Sequence, residues 1–282
     1  MKLVLTILLF LSVNFLSHGQ FIHTEEFIKK IEAYPKDKLE SLKKIAKLFT
    51  DSLEKSNSSD VDRAFVELLK VQTEIQDNYN KVLWESEDYE SLESIMYANE
   101  KLHTQKAKEF EKYAEENGFI IQVTEGTINI EKSPTFLIET FIEFLSSSMK
   151  SYLKQYCDEL KAPFMEDGGI IIDFTTFRER VLFWDNFDKQ NPDFPIPNYP
   201  KNQFEFYLYH LLSGADNTPA FDWNSKIILE SYLKVYNEII QENPNTRTAH
   251  ILKDYTKMLK LNSYKKNDEL MNFINKYDPY KY

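Results

Sequence analysis

The chain has 282 residues, of which 42% are hydrophobic and 15% aromatic, a composition that excludes a disordered polymer and suffices for one large or two smaller packed domains. Its formal net charge of −11 repels phosphate backbones and anionic headgroups, so the composition argues against nucleic acid as a partner. The single cysteine, Cys157, excludes an internal disulfide, and only six glycines among many Leu, Lys, Glu and Tyr favour helices over sheets.

At the start, Lys2 precedes an apolar run from Leu3 to Leu16, followed by Ser17-His18-Gly19. This is the three-part layout of a secretory signal peptide, with cleavage expected after Gly19. The run is shorter than the roughly 20 residues a bilayer core requires, and no other segment is apolar enough to span one. The expected location is therefore the periplasm or the external medium, with residues 1–19 removed and a mature chain beginning near Gln20.

Leu39, Leu42, Ile45, Ala46, Phe49 and Leu53 form one helical stripe over Lys38 to Lys55. The run Ser56 to Asp60 breaks it and offers caps for a second helix carrying Val61, Phe65, Leu68, Leu69, Ile75 and Tyr79. A third helix is expected from Asp88 to Glu116, with a stripe diluted by Asn99, His103 and Lys106. Three such helices pack most simply as an antiparallel bundle over residues 20–117. The acidic run Glu85 to Glu93 has no glycine for a calcium-loop turn and reads as a solvated helix start.

From Phe119 to Glu131, Val, Ile and Thr alternate with polar residues around Glu125-Gly126, the pattern of a β-hairpin. Two strands alone are marginal in water, so the hairpin is expected to dock on its own core, with pairing to a partner's strand as the alternative. Ser133-Pro134 begins another helix, whose apolar side runs from Phe141 to Leu160 and includes Cys157. With no histidine nearby in sequence, Cys157 reads as a small core residue. The mainly α region 118–282 thus contains one small β-hairpin followed by helices.

The segment Asp167 to Phe174 holds the only Gly-Gly pair, lacks phosphate-loop spacing and reads as a turn with a short extended piece. Thr176 to Glu179 then has the spacing of a capping box. In the helix that follows, Phe177, Val181, Trp184 and Phe187 form the stripe, while Asp185 and Lys189 are spaced for a weak i,i+4 pair. Arg180 and Asp188 fall at the stripe's edges, one turn to either side of Trp184. Arg180, Trp184 and Asp188 are the candidate binding residues here, either as an ion pair with arginine on tryptophan or as a grip on an anionic ligand.

A phrase recurs 52 residues on: Trp184, Phe187, Asn191 and Pro192 correspond to Tyr236, Ile239, Asn243 and Pro244, and each Asn-Pro leads into another amphipathic helix. The return helices are expected over Asn202 to Leu212, ending near Gly214, and over Thr248 to Leu259. Residues 175–262 thereby resemble tetratricopeptide-like helical-hairpin repeats. The chain departs from that family where small residues are usual, carrying Arg180 and Phe187 in one copy and Tyr232 and Ile239 in the other. The resemblance implies recognition of a protein or peptide on a concave face and transfers no individual site residue.

Between the copies, Ala215 to Lys226 holds Asp216, Asn217 and Asp222, which read as turn and cap residues sooner than as calcium ligands. The histidines form no zinc spacing and no GxSxG occurs, so no cofactor, metal or catalytic residue is assigned. The tyrosine-rich end Asn275 to Tyr282 reads as an exposed contact point or a frayed terminus. The expected function is that of an exported, non-catalytic protein-binding or scaffold protein. The alternatives are an envelope hydrolase built around Glu179, Arg180, Asp185 and Asp188, or a carrier of a small apolar ligand.

Overall fold

The structure, a computed structural model, describes residues 18–53, 57–86, 89–96, 103–124 and 126–281, with side chains from Thr24 onward. The apolar run of the expected signal peptide lies outside the described residues. The fold is mainly α with two small two-stranded antiparallel sheets, and it divides into two compact units, the first ending at Lys161 and the second running from Ala162. The change in composition placed a boundary at 117/118. The alternative was a region continuous with the bundle; the first compact unit runs on through the hairpin and the helices after it as far as Lys161.

In the first unit, α1 (His18–Glu32), α2 (Glu40–Leu53) and α3 (Ser58–Trp84) pack on one another. α1 was not foreseen from the sequence. All six residues of the expected α2 stripe are buried, and Phe49 meets Phe27, Phe65 and Phe141 edge-on. Asn57 caps α3 by accepting the Asp60 amide at 3.0 Å.

The expected third helix is corrected. Tyr89–Met96 forms 3-10 turns, and α4 (Gln105–Glu116) starts afresh behind Thr104. Thr104 takes an extended backbone, and its hydroxyl accepts the Ala107 amide at 3.2 Å. A capping threonine inside the stretch opens a new helix there. Residues 97–102 of the expected helix lie outside the described residues.

β1 (Phe119–Thr124) and β2 (Thr127–Lys132) form the expected hairpin, with Ile121 opposite Ile130 and Val123 opposite Ile128. It docks internally. Asn80 of α3 clips Ile130 on both sides, accepting its amide at 2.8 Å and donating to its carbonyl at 3.1 Å. Trp84 Nε1 donates to the Ile128 carbonyl at 3.2 Å, and the Tyr89 hydroxyl accepts the Ile128 amide at 2.8 Å.

The helix expected from Ser133 through Leu160 is two helices, α5 (Pro134–Phe141) and α6 (Ser147–Lys161). Ser146 opens the second: its hydroxyl accepts the Met149 amide at 3.3 Å, while buried Asp62 of α3 accepts the Ser146 amide at 3.0 Å and the Ser146 hydroxyl. Cys157 is fully buried in α6, and burial pushes its thiol up to about 12.

The second unit begins with a two-residue hairpin, β3 (Met165–Glu166) and β4 (Gly169–Ile170). Two helical hairpins follow, α7 (Phe174–Gln190) with α8 (Tyr199–Ser213), and α9 (Glu230–Glu242) with α10 (Arg247–Leu261). α7 starts earlier than the Thr176–Glu179 spacing implied. Asp173 is the cap, accepting the Thr176 amide at 2.9 Å, so the orphan N–H groups of the helix start lie three residues earlier than a Thr176 cap would place them. Glu179 is exposed.

The recurring Asn-Pro phrase marks the same local ending twice. Asn191 and Asn243 close α7 and α9 with φ/ψ of −127°/62° and −128°/48°, and each amide returns to a carbonyl four residues back. Trp184 and Tyr236 occupy corresponding fully buried positions. A short helix, α11 (Asp268–Ile274), was not foreseen.

Candidate functional site

Arg180, Trp184 and Asp188 lie at i, i+4 and i+8 on α7, and the second unit uses each within its own frame. Arg180 is 4% exposed. Its Nη2 donates to the Ala162 carbonyl at 2.6 Å and its Nη1 to the Tyr207 hydroxyl at 3.5 Å, both neutral oxygens. Trp184 is fully buried, with Phe187 and Tyr199 set edge-on at centroid distances of 5.8 and 5.6 Å. Asp188 accepts from Arg247 Nη2 at 3.0 Å.

Asp185 was expected to pair with Lys189. It is buried instead and holds the start of α10, accepting the Thr248 amide at 2.8 Å, the Thr248 hydroxyl at 2.7 Å and Arg247 Nε at 3.3 Å. A carboxylate at a helix N-terminus meets unpaired N–H groups and the positive end of the helix dipole together. The arginine–aromatic stacking anticipated at Trp184 occurs elsewhere, with Arg247 lying 3.7 Å above Phe204. Arg178 turns to α9, reaching Glu242 at 3.0 Å and Glu238 at 3.4 Å. These charges join helices, and none of Arg180, Trp184 and Asp188 lines the two cavities described below.

The site that does form sits where the α8–α9 loop folds over the β3–β4 hairpin. The loop doubles back at Gly214, whose φ is +74° and where an added Cβ would stand 2.3 Å from the Ala220 amide nitrogen. Only glycine fits such a turn. The Thr218 hydroxyl then accepts the Ile170 amide at 2.8 Å, and the Asn217 amide donates to the Gly168 carbonyl at 2.9 Å. Further on, Asp222 Oδ1 gathers the Asn224 amide at 3.1 Å, the Ser225 amide at 2.7 Å and the Ser225 hydroxyl at 2.8 Å. These bonds, led by the Ser225 amide, hold the Asp222 carboxyl below its ordinary range. They fix the turn at whose tip Trp223 is presented.

The result is a cleft of 370 Å³. Its walls are Phe174 and Phe177 from α7, Phe221 and Trp223 from the loop, and Leu229 and Tyr232 from the entrance to α9, with Ile170 and Ile172 beneath. Trp223 is 62% exposed, Leu229 37%, and Ile171, between the two lining isoleucines, 52%. One oxygen of Asp222, Oδ1, is taken up by its turn. The Tyr232 hydroxyl donates to the Thr218 carbonyl at 3.3 Å, and burial pushes it up to about 12. The cleft therefore offers apolar contact and a few polar anchors, without a pair of groups set to exchange protons.

Trp223 and its neighbours were not singled out in the sequence, where the Asp and Asn around them read as turn formers. The available signal was Phe-Asp-Trp inside a polar loop, large aromatics where a connection needs none. Asp216, Asn217 and Asp222 do serve as loop residues, and among the described residues no group of three His, Cys, Asp or Glu is placed to hold a metal ion. No helix among them is long and apolar enough to cross a membrane. Comparison with protein-family models, curated proteins and solved structures returned no match.

Proposed function

We propose that this is an exported, non-catalytic binding protein, which seats an apolar or aromatic side chain of a protein or peptide partner in the cleft beside Trp223. The carrying observation is that two exposed apolar side chains, Trp223 and Leu229, line an aromatic-walled hollow. Large apolar side chains exposed at the mouth of a hollow mark an interaction site, and a tryptophan there has the chemistry of an interface anchor. The signal-peptide pattern of residues 1–19 supports export. The resemblance of residues 175–262 to tetratricopeptide-like hairpins supports a protein or peptide as the occupant.

The test is crosslinking and affinity capture from the native envelope and medium fractions, with the wild type and a Trp223→Ala/Leu229→Asp variant in parallel. A specific partner is expected with the wild type and should be depleted with the variant, whose helix content and melting stay unchanged. Equal recovery by both, or no specific partner with either, refutes the reading. A small apolar ligand is the second reading, favoured by a cleft volume within the range of small-molecule sites. It predicts saturable quenching of Trp223 fluorescence by envelope lipid extract in the absence of any protein partner.

A further inference from the structure

A second cavity in the same unit, of 450 Å³, is lined by Tyr209, His210, Asp216, Trp223, Lys266 and Tyr280. We propose that it binds an organic ammonium group, free as a small amine or carried on a peptide as a lysine side chain or amino terminus. Trp223 borders both hollows, but the residues that decide this inference, His210, Asp216 and Tyr280, do not line the first cleft, and its test is different.

His210 is the built part of the site. It is 3% exposed, and its ring is enclosed by those of Phe164, Phe206, Tyr209 and Tyr280 at centroid distances of 5.4, 4.6, 5.3 and 6.2 Å. Nδ1 lies 2.8 Å from the Phe206 carbonyl, an oxygen that can only accept, so Nδ1 carries the proton. Nε2 is then a lone-pair acceptor, with no hydrogen bond to any described residue. Burial lowers the basicity of the ring, which keeps it neutral near pH 7.

The cavity wall carries one carboxylate, Asp216, and one cation, Lys266. The Tyr209 and Tyr280 hydroxyls are raised first by burial and then by the nearby Asp278 and Asp216 carboxylates, which also act on His210 against the effect of its burial. Lys266 is the one cation among the lining residues, and its ammonium lies 5.8 Å over the Phe221 ring. Three ligand chemistries can be weighed against this wall. An anion would meet the Asp216 carboxylate and the His210 lone pair, with only Lys266, whose ammonium already lies over Phe221, to attract it. A purely apolar ligand would leave Nε2 desolvated and unpaired, at a cost of about 1–3 kcal/mol. An ammonium supplies the missing N–H donor, meets the Asp216 carboxylate and has the rings of Tyr209, Tyr280 and Trp223 among the lining residues for cation–π contact.

The test is isothermal titration of the full chain at neutral pH with n-butylamine, which is protonated there, alongside n-butanol and butyrate. Saturable binding of the amine is expected, with the alcohol and the acid weaker by about tenfold or more, the factor one lost charge-assisted contact produces. Asp216→Asn and Tyr280→Ala, both at exposed positions, should each weaken the amine by a similar factor while leaving the circular dichroism unchanged. A short peptide with a free amino terminus, compared with its acetylated form, separates the two sources of the group. Tighter binding of the free peptide than of butylamine assigns the site to a peptide, and equal binding assigns it to small amines. Butyrate or butanol matching the amine, Asp216→Asn binding as the wild type does, or uptake of a divalent metal ion with no amine response overturns the proposal.

Discussion

Replacing Asp185 with alanine tests whether the charges of α7 hold the fold or await a ligand. The carboxylate is buried and receives two bonds from Thr248, itself fully buried, and one from Arg247, whose side chain is 42% exposed. Hydrogen bonds to a charged group contribute about 1.5–3 kcal/mol each, whereas an ion pair with a partner this exposed is worth at most about 1. Alanine would also strand the Thr248 amide and hydroxyl without acceptors. The expected loss is about 3–5 kcal/mol, the range found when one side of a buried polar pair is removed. Arg247→Ala should cost under about 1 kcal/mol, and Asp193→Ala, on the exposed turn after α7, under about 0.5. Urea unfolding followed by tryptophan fluorescence in a Trp84→Phe background reads the second unit alone, through Trp184 and Trp223. An Asp185→Ala protein within about 1 kcal/mol of its parent would refute the reasoning. It would return Asp185 to the list of groups held for function at little benefit to stability.

Two further outcomes follow from the same structure. Asn80→Ala removes both clips on Ile130 and leaves two backbone groups to find water, so a loss of about 2 kcal/mol is expected. Hydrogen exchange should locate it, with the Ile130 amide accelerated and the amides of α7 to α10 unchanged. His210 sets a pH dependence in the second unit. Its folded pKa lies below the ordinary 6.5 through burial, so between those two values the unfolded chain binds more protons. Stability from this group is complete above about pH 6.5 and declines as pH falls through the interval toward the folded value. Asp62 and Glu131, raised by burial in the first unit, act in the opposite sense. The informative quantity is therefore the difference between wild type and His210→Gln from pH 7.5 to pH 5, and a flat difference would contradict the assignment.

What the sequence disclosed was local. Stripes such as Leu42, Ile45 and Phe49 name a buried face because helical periodicity is itself a local property, and the Asn-Pro stops carry their own geometry. The alternation around Gly126 likewise named the hairpin. What it concealed depends on distance along the chain. Asp185 has a plausible partner four residues away in Lys189 and an actual one 63 residues away in Thr248, and no periodicity distinguishes them. Asp173 and Thr176 are both competent caps, and a carboxylate one turn earlier took the role. The cleft depends on Phe221 and Trp223 standing against Phe174 and Phe177, a meeting that follows from the fold of a loop with no repeating pattern. Tyr280, at a terminus read as contact point or frayed end, comes to rest beside Tyr209 and His210 for the same reason.

The side chains that clip β2 also bear on how the chain behaves in company. A two-stranded ribbon rich in Ile and Val ordinarily displays a row of open backbone groups along each border, an invitation for strands of other molecules to add on. Along the β2 border, the amides and carbonyls of Ile128 and Ile130 are already taken by Asn80, Trp84 and Tyr89. A neighbouring copy that approaches there finds neither donor nor acceptor at those positions. The long helix, with Tyr89 after it, thus acts as a false third strand along that border and closes it to cross-chain growth at the concentrations that crowded compartments impose.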